Sequence, residues 1–159
     1  MDPGAGDLSY QAAARARERF AELISLGRSF CYETVFSHAS KLDMLLQAKA
    51  AGYHVNLVII HLARIELNVA RVIQRVSEGG HNVPSHKIES RVPRALSLLR
   101  EAVHAADQSL LLDNSDDTNP FIVVARLTAG VLDAESANRS QMPDWARELV
   151  GDSEPPLLD

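Results

Sequence analysis

The sequence predicts an α/β fold on a mainly parallel sheet, and three observations carry that prediction. Segments with apolar residues at helical spacing alternate with short apolar runs. The run Val55-Asn56-Leu57-Val58-Ile59-Ile60 is nearly continuous and β-branched, the pattern of a strand covered on both faces. Polar residues, Glu33-Thr34 and Asp113-Asn114-Ser115, follow directly on two of the apolar runs. In open α/β sheets the ligand crevice lies outside the carboxyl ends of the strands.

The elements follow in order. Residues 8–26 predict a helix, with Ala13, Ala16, Phe20, Leu23 and Ile24 on one face and Gly27 at the left-handed position that ends it. Phe30-Cys31-Tyr32 predicts a short strand ending at Glu33 and Thr34. Ser40 and Asp43 predict a capping box that opens a second helix, whose stripe is Leu42, Leu45 and Leu46 and which Gly52 ends. After the Val55–Ile60 strand, residues 65–78 return to helical period, with Ile65, Val69, Val72, Ile73 and Val76 facing one way and Gly79-Gly80 breaking the helix. Pro84 starts the next helix, where Ile88, Val92, Leu96, Leu99 and Val103 share a face and Pro93 is expected to kink or split it. Leu110-Leu111-Leu112 predicts a strand, residues 113–119 a loop, residues 121–127 a last strand, and Gly130 a turn. Beyond residue 133 the chain is polar apart from a short helix around Trp145 and Leu149. The expected organisation is therefore one domain over residues 1–133 and a polar extension and tail over 134–159.

Composition narrows the function. A formal charge of -5 gives no general attraction for nucleic acid, so phosphate recognition needs a local basic cluster. Cys31 is the single cysteine, which rules out an internal disulfide and a four-cysteine zinc site and favours a reducing, cytoplasmic setting. The N-terminus has neither the charge nor the apolar core of a signal peptide, and no apolar run approaches the roughly 20 residues that span a bilayer. His81 and His86 lack the spacing of a helical zinc pair, so no metal site is expected.

Three places could carry chemistry. Glu33 at a strand end suits positioning or deprotonation of a substrate hydroxyl, with Thr34 beside it; the same pair also suits a solvated turn. Arg64, Asn68, Arg71 and Arg75 fall on one helix face, and Arg91 and Arg94 follow; this is either a phosphate-binding face or a solvated one. Asp113-Asn114-Ser115 is either a crevice loop or an ordinary turn, since these residues bond their own backbone.

Several segments together resemble the zeta-toxin family of P-loop kinases. They are Gly27-Arg28-Ser29-Phe30 leading to Glu33-Thr34, Ala50-Ala51-Gly52-Tyr53-His54-Val55, Glu66-Leu67-Asn68-Val69-Ala70-Arg71-Val72, Arg75-Val76-Ser77-Glu78-Gly79-Gly80-His81-Asn82-Val83-Pro84, and Asp113-Asn114-Ser115. The resemblance runs from about residue 2 to residue 130. It implies a three-layer P-loop kinase sandwich that lacks its first strand and phosphate-binding loop. It implies ATP with Mg2+ as cofactors and phosphoryl transfer to a sugar nucleotide such as UDP-N-acetylglucosamine, with an antitoxin protein as a possible partner. It assigns Glu33 and Thr34 to the acceptor, Glu33 and Arg75 to catalysis, and Arg71, Arg75, Asp113 and Asn114 to the nucleotide. No Gly-x-x-x-x-Gly-Lys-Ser/Thr occurs, and none of Lys41, Lys49 and Lys87 follows a glycine. That loop cradles the phosphates and its hydroxyl holds magnesium, so the chain as it stands is expected to be inactive. The alternative is a non-catalytic nucleotide-sugar or antitoxin binding module that works with a partner chain.

Overall fold

A computed structural model describes residues 4–79, 84–136 and 142–151, with side chains from residue 11 onward. The fold is α/β, and the chain divides into two compact units, Met1–Thr34 and Val35–Asp159.

The first unit holds helix α1 (Gly4–Ser25). It ends as the sequence predicts. Gly27 has φ +61°, its N–H donates to Ile24 O at 3.1 Å, and Arg28 N–H donates to Leu23 O at 3.1 Å. These two bonds close the orphan carbonyls of the last turn. Phe20 is buried, and the rings of Phe30 and Tyr32 meet it edge-on at 5.6 and 6.3 Å. The strand predicted at Phe30-Cys31-Tyr32 does not form: residues 28–37 have no regular structure. Their apolar character is spent on an aromatic cluster around Phe20 rather than on a ladder.

The second unit runs through α2 (Ser40–Ala50), β1 (Asn56–His61), α3 (Ile65–Ser77), α4 (Ser85–Ala105), β2 (Gln108–Asp113), β3 (Ile122–Thr128), β4 (Val131–Leu132), a 3-10 turn (Ala134–Ser136) and α5 (Asp144–Val150). The sheet order is β1-β2-β3-β4. β1 and β2 are parallel, while β2–β3 and β3–β4 are antiparallel. The expected mainly parallel sheet is thus mixed. Residues 114–121 join β2 to β3 without a helix, and a connection that short cannot make the crossover a parallel pair needs.

The core lies against one face of the sheet. Ile59, Leu111, Ala125 and Leu127 share that face by register and are buried with Leu45 of α2, Ala95, Leu99, Ala102 and Val103 of α4, and Trp145, Leu149 and Val150 of α5. The predicted short helix around Trp145 and Leu149 is therefore part of this core. The opposite face keeps Val58, Ile60 and Val123 about half exposed. Among the described residues of this unit, β1 is an edge strand with one face left open, not the doubly covered strand its composition predicts.

Three further expectations change. The capping box does not form, because Ser40 is already helical; its hydroxyl lies 3.0 Å from His38 Nδ1 and the cap position, Ala39, offers no side-chain bond. Pro93 does not split α4, which runs unbroken past it. One missing N–H costs a single bond, and the buried residues from Ile88 to Val103 hold both halves. No residue of α3 is buried, and Ile73 and Val76 of its apolar stripe are exposed rather than packed.

A polar staple fixes the entry to the parallel pair. Asp107 accepts from Lys49 Nζ and, at 2.7 Å, from Val55 N–H; His54 Nδ1 lies 3.9 Å away. The bond from Lys49, then that from Val55, holds the Asp107 carboxyl below its ordinary range.

Candidate functional site at the carboxyl ends of β1 and β2

The parallel register ends with His61 beside Asp113. Asn114 N–H donates to His61 O at 2.9 Å, which carries the ladder one residue further. The loop that follows is folded by its own side chains. Asp113 Oδ1 accepts from Ser115 N–H at 2.8 Å, and Ser115 Oγ accepts from Ala63 N–H at 2.7 Å. Asp116 Oδ1 accepts from the N–H and hydroxyl of Thr118 at 2.8 and 2.7 Å, with the hydroxyl bond chiefly holding its carboxyl below the usual range. These are the turn-forming bonds that the residue types predict.

Arg71 of α3 reaches this loop. Its Nη2 donates to the main-chain oxygen of Asn114 at 2.8 Å and to Asp117 Oδ1 at 2.9 Å. Both bonds use Nη2, so the Nη1 and Nε donors point to no partner among the described residues. Asn114 is buried at 7% exposure, and its side-chain oxygen has no hydrogen bond among the described residues. A buried acceptor left unmatched is uncommon and costly, which marks this position as unusual in the fold.

Next to it, the His61 ring packs on Trp145 of α5 with centroids 4.6 Å apart, and Trp145 Nε1 donates to Asp113 Oδ2 at 3.4 Å. Burial lowers the His61 pKa, and the neighbouring Asp113 carboxylate offsets part of that shift. The neutral imidazole is the form that this packing favours.

The sequence-predicted residues divide as follows. Arg71, Asp113 and Asn114 come together here. Arg75 lies exposed in the last turn of α3, without a side-chain bond among the described residues. Arg64 caps α3 in extended backbone, and its carbonyl accepts from Asn68 Nδ2 at 3.4 Å. Arg91 is half-buried, and Arg94 is exposed and bonds Ser90 O within α4 at 2.9 Å. Glu33 and Thr34 are exposed residues of the first unit. His81 lies outside the described residues, and His86 is exposed in α4. Among the described residues no cluster of His, Cys, Asp and Glu could hold a metal ion, and no helix is long and apolar enough to cross a membrane.

Sequence reasoning missed His61, Asp117 and Trp145. A signal existed for the first, since parallel register sets the last residue of β1 beside Asp113. Trp145 reaches the site only through packing of α5, which nothing in the chain's local pattern encodes. An open hollow of about 350 Å³ beside Thr128, Val131 and Asp133 lies at the other end of β3 and belongs to the hairpin, not to this site.

Comparison with known proteins gives three findings. The family model described as Zeta toxin matches residues 7–121. An uncharacterized protein of Haemophilus influenzae (strain ATCC 51907 / DSM 11121 / KW20 / Rd) is 34% identical over 62 residues, which cover 39% of this chain and 44% of that protein's length. No solved structure matches the chain.

Proposed function

The chain belongs to the zeta toxin family, and from that premise we propose that it is a kinase-type nucleotide-binding domain that holds a nucleotide weakly and does not transfer phosphate by itself. The observation that carries this reading is the junction of Arg71 with Asn114 at the carboxyl ends of the parallel pair. Arginine donors left over beside the carboxyl ends of a parallel strand pair suit a phosphate oxygen. On the family resemblance, Glu33 and Thr34 serve the acceptor and Arg75 the transferring phosphoryl group. The acceptor class in this reading is a sugar nucleotide. Mg2+ would be carried in largely by the phosphates of ATP, as such sites commonly arrange.

Inactivity follows from chemistry. Phosphoryl transfer is mostly positioning and charge stabilisation, and the sequence holds no Gly-x-x-x-x-Gly-Lys-Ser/Thr to supply them. Titration of the chain with ATP-Mg, followed by NMR, tests the reading. Shifts at residues around Asn114 with a dissociation constant near 1 mM, about -4 kcal/mol, are expected, with no ADP formed in the presence of UDP-N-acetylglucosamine. No shift at saturating ATP-Mg would overturn the nucleotide assignment. Turnover would overturn the inactivity.

A further inference from the structure

Helix α5 lies beyond the residues that the family model matches, yet its Trp145 meets both strand ends of the candidate site. The residue is 6% exposed, its ring lies 4.6 Å from the His61 ring, and its Nε1–H donates to Asp113 Oδ2 at 3.4 Å. A buried indole N–H needs an acceptor, and Asp113 supplies it. The other oxygen of that carboxylate folds the loop. Asp113 Oδ1 accepts from Ser115 N–H at 2.8 Å, and Ser115 Oγ accepts from Ala63 N–H at 2.7 Å, just ahead of α3. Between Asp113 and Ser115, the main-chain oxygen of Asn114 accepts from Arg71 of α3 at 2.8 Å. A carboxylate held at one oxygen can still swing, whereas a bond to each oxygen fixes its plane. Any swing of Asp113 would move the Ser115 anchor, and with it the carbonyl that orients Arg71.

We propose that Trp145 is a positioning residue of this site: by holding Asp113 Oδ2 it sets the loop after β2 in the conformation that aims Arg71 at a nucleotide phosphate. The ligand in this proposal rests on the nucleotide reading above; the loop geometry does not. Groups that contact a ligand are only as precise as the side chains that support them. A tryptophan that merely filled the core would act through overall stability, and phenylalanine would replace most of it. Trp145→Phe therefore separates the two roles, because it keeps an aromatic ring against His61 and removes the N–H donor.

Two NMR measurements on the whole chain test it. Without ligand, exchange of the Ser115 amide in Trp145→Phe is expected to speed up about tenfold, while the Leu111 amide in the middle of β2 keeps its wild-type rate. With ATP-Mg, the dissociation constant read from shifts around Asn114 is expected to rise about fivefold, as the loss of one supporting hydrogen bond implies. Unchanged Ser115 exchange overturns the proposal. So does faster Ser115 exchange with unchanged ATP-Mg affinity. Equal acceleration at Leu111 also overturns it and makes Trp145 core filling. A wild-type chain that binds no ATP-Mg overturns the nucleotide reading and the ligand named here, while Ser115 exchange still decides whether Trp145 sets the loop. If Trp145→Phe fails to fold, the wild-type indole N–H decides. Protection from exchange that Asp113→Ala removes is expected, and exchange at the rate of an exposed indole overturns the proposal.

Discussion

Arg71 and Asn114 are joined side chain to main chain at 2.8 Å, so a helix with no buried residue is held to the loop after β2 by one guanidinium. Arg71→Ala is expected to cost about 1 kcal/mol, since its ion pair with Asp117 is largely exposed and only the bond to Asn114 is sheltered. Hydrogen exchange across residues 65–77 should accelerate strongly while the melting temperature moves little. A large fall in melting temperature with α3 still protected would show that Arg71 supports the core instead.

His61 sets a pH dependence. Its folded-state pKa lies below the ordinary value of about 6.5, so the neutral ring contributes stability that is complete above that pH and is lost as pH falls through the folded-state pKa. Urea unfolding should therefore show stability declining below about pH 6.5, and His61→Phe should flatten the decline. Asp113→Asn removes the anion that opposes the shift, so the titration should move further down. Trp145, the chain's single tryptophan, reports it directly by fluorescence.

Asp107 works in the opposite range. Its carboxyl is held low by Lys49 and Val55, so its contribution is present above the ordinary aspartate pKa and is lost as pH falls through the lowered one. Asp107→Asn should lower stability at neutral pH, and the gap to the wild type should close in strong acid. A gap that persists at the lowest pH would mean that the carboxylate's charge is not what matters there.

Gly130 has φ +79°, and a Cβ there would lie 3.1 Å from His104 Cα and 3.2 Å from His104 O. His104 Nδ1 also lies 3.2 Å from Gly130 O. Gly130→Ala combines an unfavourable backbone with a clash against main chain, for which a loss of about 1–3 kcal/mol is expected in urea unfolding. Gly79→Ala, at φ +90° but with no described residue near its Cβ position, should lose less.

Much of this was legible in the chain because it is local. The 3.6-residue period located α1, α3 and α4, and the apolar runs located β1, β2 and β3. What failed depended on neighbours. Val55–Ile60 has the composition of a covered strand, but exposure is decided by what packs on it, and Val58 and Ile60 stayed open. Phe30-Cys31-Tyr32 has strand chemistry, yet a strand also needs a ladder, and Phe20 competed for its aromatics. Ser40 missed its capping role by one position, a shift that side-chain type alone cannot set. At the site, residue type singled out Arg71, Asp113 and Asn114, but the Arg71 bond spans 43 positions and was invisible to spacing.

The staple between Val55 and Asp107 joins positions 52 apart, whereas β2, β3 and β4 follow one another through short loops. The antiparallel strands can therefore assemble from nearby residues, and β1 must wait for two intervening helices. During synthesis at about 5–20 residues per second, β1 emerges roughly 3–10 s before its sheet partner exists. For that interval an apolar strand without protecting charge is available to any chaperone or neighbouring nascent chain.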